Sequence, residues 1–348
     1  MKFTHIVLLF CIQLNAQDLM MPHRHNGRFY SYPGEETKSN HLFEEIYMFI
    51  HSKILQWLAA DSRNPDFTAM DNWLQKASPK PTSQEPVITW IGHATFLIQL
   101  GNINILTDPI FGDAFPVLYP RVTPPALTHK ELPLIDVILI SHNHWDHFCC
   151  KSLKKICRTS SPFMLVPQGD LELCDQSGFD NVFQYTWWEQ QPITLTKELN
   201  GITFTFVPAI HWSYQLWLNS NRALWGGWLI EYEGFKIYFA GDTAYGEHFK
   251  QIGEQFPNID VALLPIGPCE YHDWLKETHM SAQEAVQAFL DLGARHFIPM
   301  HWGSFNFGLD YLTTPIERLI IDWYYRSSDL AGKELHLVKA GQEVAEFT

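Results

Sequence analysis

The segment Ser141-His142-Asn143-His144-Trp145-Asp146-His147 places three histidines and one aspartate in six consecutive positions, directly after the apolar run Ile135–Ile140. Imidazole and carboxylate are ligand types for divalent metals such as zinc. A strand end holds the loop that follows it, so alternating His142 and His144 can face the same way and share one ion. Asp146 and His147, one step further round the turn, aim at a second position nearby. The spacing H-x-H-x-D-H therefore points to two metals close together and not to one closed structural site.

Three other segments repeat this arrangement. His211 follows the run ending Val207-Pro208-Ala209-Ile210, Asp242 follows Phe239-Ala240-Gly241, and His301 follows Ile298-Pro299-Met300. A lone histidine at a strand end is usually a hydrogen-bonded structural residue. Three strand ends that all offer ligand types, added to a four-ligand cluster, point instead to a metal centre.

The positioning elements follow from the hydrophobic pattern. Val87–Trp90, Thr95–Leu100 and Ile103–Thr107 read as an opening meander with Gly101-Asn102 as a tight turn. Ile135–Ile140 and Phe163–Val166 are short apolar runs of the kind found in buried strands. Ile202–Val207, Trp228–Tyr232 and Lys236–Ala240 form a second group, turning at Glu233-Gly234, and Val261–Pro265 and His296–Pro299 close the series. Helical spacing intervenes at Cys150–Arg158, Glu247–Gln255, Ser281–Leu292 and Pro315–Tyr325, with Ser281 and Glu284 set for a capping box. This order predicts an α/β chain with two mixed β-sheets packed face to face and helices outside.

The histidine motif, the later histidine, the Gly-Asp-Thr aspartate and the final histidine stand in the order of the metallo-β-lactamase superfamily, which the chain resembles from about Thr89 to about Phe347. Its local text is most similar to the N-acyl-phosphatidylethanolamine-hydrolysing phospholipase D group. That similarity is carried by Thr107-Asp108-Pro109-Ile110-Phe111, Leu139–His147, Trp187-Trp188-Glu189, Leu224-Trp225-Gly226-Gly227-Trp228, Ala240-Gly241-Asp242-Thr243, Pro265-Ile266-Gly267 and His301-Trp302-Gly303. The resemblance implies an αββα four-layer sandwich and two zinc ions per chain. By position, His142, His144 and His211 would hold one ion and Asp146, His147 and His301 the other, with Asp242 and a hydroxide bridging both. The hydroxide would attack the phosphorus of N-acyl-phosphatidylethanolamine and release an N-acylethanolamine and phosphatidic acid. Asp146, Asp242 and His279 are the residues implied for catalysis; for His279 the resemblance leaves open contact with the substrate phosphate or a surface role. Manganese or iron in the same seven ligands stays open, as does a lactone or another phosphodiester as substrate.

Two supporting residues are also expected. Asp108 could accept the free N–H of a ligand histidine. His93, in Ile91-Gly92-His93-Ala94-Thr95, matches a family position that is not a ligand; it either orients a ligand or makes an ordinary hydrogen bond. One departure stands out. After Pro265-Ile266-Gly267 the phospholipase group tends to carry an arginine-tryptophan-phenylalanine-methionine stretch, whereas this chain reads Tyr271-His272-Asp273-Trp274-Leu275.

Composition narrows the partners. With 24 basic and 38 acidic side chains the formal charge is -14, which disfavours a nucleic-acid partner. A phospholipid substrate and peripheral contact with a membrane surface are expected, and a homodimer is left open. Lys2 followed by the apolar run Ile6–Ile12 and by Leu14-Asn15-Ala16 reads as a secretory signal over residues 1–16, implying a secreted or periplasmic location. Residues 17–86 form a lead-in with an amphipathic helix (Phe43, Ile46, Tyr47, Ile50, Ile54, Trp57, Leu58) and a short helical piece at Met70–Lys76, before a catalytic domain over 87–348. Five cysteines remain after the signal (Cys149, Cys150, Cys157, Cys174, Cys269); an odd number without regular spacing is not a disulfide framework.

Overall fold

Alternating β-branched and aromatic runs pair into sheets whose strands are buried along most of their length, which requires cover on both faces. The computed structural model describes residues 19–37, 70–115, 119–192, 201–214, 220–269, 275–308 and 310–347. The expected signal at 1–16, the helix at 43–58 and residues 271–274 lie outside the described residues.

A short hairpin, β1 (His23–His25) and β2 (Arg28–Tyr30), comes first. The first sheet contains β3 (Val87–Gly92), β4 (Thr95–Leu100), β5 (Ile103–Thr107), β6 (Val137–Leu139), β7 (Phe163–Pro167) and β8 (Val182–Tyr185). The second contains β9 (Gln190–Pro192), β10 (Thr203–Val207), β11 (Gly227–Tyr232), β12 (Phe235–Phe239), β13 (Val261–Pro265), β14 (His296–Met300) and β15 (Glu334–Leu335). The last strand, β16 (Glu343–Val344), returns to the first sheet and pairs antiparallel with β3. Each sheet is mixed: an antiparallel meander (β3–β4–β5, β9–β10–β11–β12) continues into parallel strands (β5–β8, β12–β15). Among the described residues the α-helices are α1 (Cys150–Ile156), α2 (Leu171–Ser177), α3 (His248–Gln255), α4 (Ala282–Asp291) and α5 (Thr314–Tyr325). The chain adopts the metallo-β-lactamase fold.

One core of buried residues spans both sheets, with Trp90, Trp187, Trp225 and Trp228 among its largest side chains. Trp228 on β11 donates its indole N–H to Ile140 O at 2.8 Å, joining the second sheet to the end of β6. Such a buried donor needs a partner, and here the partner lies one residue before the histidine motif. Both expected hairpin turns form, with positive φ at Gly101, Asn102, Glu233 and Gly234. The capping box of Ser281 and Glu284 is also present.

The short helix expected at Met70–Lys76 is not formed over that length. Met70 and Asp71 are helical and Asn72–Trp73 turn, but Leu74 bridges Ala340 and Gln75 N donates to Ala340 O at 2.9 Å, so from Leu74 the segment is extended against the C-terminal strand region. Tertiary pairing overrides local helical spacing there. The hairpin β1–β2, helix α2 and edge strands β8, β9, β15 and β16 were not foreseen; each is short and lacks a clear period.

Candidate metal centre

The C-terminal ends of β5, β6, β10, β12, β13 and β14 lie along one edge of the two sheets, because β10 runs parallel to β12 through the intervening antiparallel β11. That edge is where α/β folds gather functional loops. Asp108 follows β5, the histidine motif follows β6, His211 follows β10, Asp242 follows β12 and His301 follows β14. Gly241 makes the approach between sheets achievable. It has φ +61, and a Cβ there would collide with the Ser141 side chain.

Two groups of donors form at this edge. In the first, His142 Nε2 lies 2.9 Å and His211 Nε2 3.2 Å from His144 Nδ1. In the second, His147 Nε2 is 3.2 Å and His301 Nε2 3.8 Å from Asp146 Oδ2. Asp242 Oδ2 stands between the groups. It is 3.1 Å from His301 Nε2, 3.3 Å from His147 Nε2, 3.9 Å from His211 Nε2 and 4.0 Å from His142 Nε2. All seven expected ligands are thus brought together.

The outer nitrogens of the rings set which atoms face inward. Ser141 Oγ donates to Asp108 Oδ2 at 2.6 Å, so its oxygen accepts from His142 Nδ1 at 2.9 Å. His147 Nδ1 donates to Asp108 Oδ2 at 2.7 Å, His211 Nδ1 to Thr278 O at 2.8 Å, and His301 Nδ1 to Gly267 O at 3.1 Å. With the proton held outside, each Nε2 presents a lone pair to the centre. For His147 and His301 those lone pairs meet carboxylate oxygens, an arrangement that is repulsive unless positive charge lies between them. His147 Nε2, His301 Nε2 and Asp242 Oδ1 are buried and have no hydrogen-bond partner.

The electrostatics agree. Burial keeps His144 neutral, with its pKa down at about 4, and holds His211 and His279 near 3. Burial alone would raise Asp146 and Asp242, but His147 and His301 outweigh it and hold both carboxyls well below the usual range. Burial likewise opposes charge on His301, yet Asp242 and Asp146 lift it to about 9. The pocket demands positive charge beside Asp242, from protons or from a metal. Nitrogen and carboxylate donors with no thiolate suit zinc, manganese or iron, so the residues present fit a metal centre.

The remaining expectations also find places. Asp108 accepts from His147 as anticipated, and also from Ser141 N at 2.8 Å. His93, at φ 58 in the turn between β3 and β4, lies 2.8 Å through Nε2 from Asp146 Oδ2 and so orients that carboxylate. His279 Nδ1 is 3.9 Å from Asp242 Oδ2, and its ring packs 5.1 Å from that of His211. Sequence reasoning missed Asn143, whose amide donates to Asp170 Oδ1 at 2.8 Å and accepts from Tyr214 N at 2.7 Å. Those bonds tie the motif loop to two neighbouring loops. Its place inside the motif was the available signal. The Thr278 and Gly267 carbonyls carried no signal, since every residue has one.

A family model for the β-lactamase superfamily domain matches residues 103–302, and the chain belongs to the metallo-β-lactamase superfamily. It is 35% identical over 247 residues to a mitochondrial N-acyl-phosphatidylethanolamine-hydrolysing phospholipase D of Saccharomyces cerevisiae, covering 68% of this chain and 52% of the relative. The match therefore spans about half the length of that yeast protein. A metal-dependent hydrolase of Rubrobacter xylanophilus is 33% identical over 267 residues, covering 74% of this chain and 95% of the relative. In structure the chain is similar to a metallo hydrolase of the archaeon Ignicoccus hospitalis, with a TM-score of 0.57 and 21% identity, over 74% of this chain and 97% of that one.

Proposed function

We propose that the chain is a binuclear zinc hydrolase of phospholipase D type that cleaves N-acyl-phosphatidylethanolamine to an N-acylethanolamine and phosphatidic acid. The observation that carries the reading is the position of Asp242 Oδ2 between two groups of inward lone pairs. Bound there, the ions would supply an activated water and neutralise the charge of a phosphodiester. His142, His144 and His211 would hold one ion and Asp146, His147 and His301 the other, with Asp242 shared.

The chain's own groups do the rest. Asp108, Thr278 O and Gly267 O keep the ligand imidazoles in one tautomer. His279, neutral through burial, can offer an N–H to a phosphoryl oxygen beside Asp242. His279→Ala is expected to cut turnover about 100-fold while bound metal stays at the level of the unmodified chain. A fall in metal content would instead place His279 among the ligands.

The lipid substrate is supported by the likeness to the yeast phospholipase. Peripheral membrane contact and a secreted or periplasmic location belong to the same reading; no helix among the described residues is long and apolar enough to cross a membrane. A small soluble substrate is the second reading. Arg121 favours it, because this guanidinium gives its donors to the Ile110, Gly112 and Thr123 carbonyls and stacks on Phe305 at 4.7 Å. It braces its own loop and is not directed to a phosphate headgroup.

The test is a metal count followed by assays on N-acyl-phosphatidylethanolamine vesicles, a soluble phosphodiester and a lactone. Two zinc ions per chain and preferred release of N-acylethanolamine from vesicles are the expected results. Turnover of the lactone or the soluble diester alone would transfer the assignment to the second reading.

A further inference from the structure

β14 carries a second group of ligand-type side chains at its other end. His301 follows its last residue, whereas His296 is its first, roughly 16 Å away at a strand rise of about 3.3 Å per residue. The parallel neighbour β15 sets Glu334 opposite His296, and His336 N donates to Phe297 O at 2.9 Å just beyond it. Register alone therefore brings two residues of the C-terminal segment, two positions apart on one strand face, onto His296.

The side-chain atoms converge. His296 Nδ1 lies 3.0 Å from His336 Nε2 and 3.4 Å from Glu334 Oε2, and the last two atoms are 3.8 Å apart. Neighbouring ligands of a tetrahedral zinc are about 3.3 Å apart, given zinc–nitrogen and zinc–oxygen bonds of about 2.0–2.2 Å. The triangle found here has those dimensions. His296 is buried and Glu334 is exposed, so the site has one wall in the core and one open to solvent. Phe347 covers the imidazoles, with ring centres 5.3 Å from His296 and 6.0 Å from His336.

We propose that His296, Glu334 and His336 form a metal site, separate from the centre at Asp242, that takes one divalent ion of the zinc class. Two neutral imidazoles and one carboxylate leave a fourth position for water on the solvent side. The ion would clamp the two-residue strand β15, at the edge of its sheet, to β14. The role is structural, because nothing in this triangle approaches the proposed hydrolytic centre.

The experiment loads the metal-stripped full-length chain with Zn2+, removes free ion by desalting and counts zinc by mass spectrometry. The chains compared are the unmodified protein, His336→Gln and Glu334→Gln. Glutamine at 336 keeps an acceptor for His296 Nδ1–H but is a poor zinc ligand, so it separates ligation from a simple hydrogen bond. Both positions lie away from the centre at Asp242, whose ions contribute equally to all three counts. The expected result is one ion fewer per chain in His336→Gln, and in Glu334→Gln either the same loss or at least tenfold weaker Zn2+ binding in a competition titration. Should His336→Gln fail to fold by circular dichroism, Glu334→Gln decides alone, its side chain being 56% exposed. Equal counts and equal affinity in the folded chains would reduce the triangle to a His296–His336 hydrogen bond and overturn the site.

Discussion

Asp242→Asn is expected to abolish hydrolysis and to lower the bound metal. The aspartate oxygen lies within 4.0 Å of four inward ring nitrogens, two from each donor group, so no other side chain can replace its shared role. Asparagine keeps the size but removes the negative charge, and its amide N–H groups would face cations. The low pKa of Asp242, held down by His147 and His301 against burial, shows how strongly that charge is coupled to its surroundings. Metal analysis beside a turnover assay measures both effects. Full activity in this variant would end the assignment of Asp242 as the shared ligand.

Asp108→Asn should lower turnover or metal affinity by about 10–100-fold without touching any proposed ligand. The carboxylate accepts from His147 Nδ1, Ser141 Oγ and Ser141 N. If the asparagine oxygen stays on Ser141 N, its NH2 faces two donors. His147 then has to move its proton to Nε2, which removes the lone pair aimed at the centre, and Ser141 loses the acceptor that fixes His142. Wrong-tautomer effects of this kind are large because one misplaced proton blocks a whole ligand. A Zn2+ titration by calorimetry, together with turnover, checks it; unchanged zinc affinity and turnover would make Asp108 a packing residue only.

Metal binding and charge are linked here with a definite sign. Asp242 and Asp146 lift the pKa of His301 to about 9 against burial, so a metal taking its Nε2 competes with a proton there. Proton release should accompany loading at pH 7. This also explains why the seven residues need one another. The carboxylates make the centre attractive to any cation, and the outer hydrogen bonds decide that the cation meets nitrogen lone pairs.

The contrast between Met70–Lys76 and Ser281–Leu292 shows where sequence reading works. The second segment carries its own instructions, an N-cap serine, a glutamate three residues on and an apolar stripe, and α4 forms with the expected cap. The first is helical only at Met70 and Asp71, and from Leu74 it pairs with Ala340 and runs extended. Edge strands β15 and β16 are legible only through their pairing, because two residues have no period to read.

For the centre itself, the sequence alone determined the ligand types and their attachment to strand ends, since a strand is a local pattern and the residue after it must lie at its mouth. His142, His144, Asp146, His147, His211, Asp242 and His301 were all legible on that basis. Only the tertiary structure decided that Asp242 stands between two donor groups, that His279 reaches them, and that main-chain oxygens of Thr278 and Gly267 set two tautomers. These depend on how two sheets from distant parts of the chain share an edge. Carbonyl groups are the same at every residue, so no pattern of side chains could have announced which ones would receive a histidine proton.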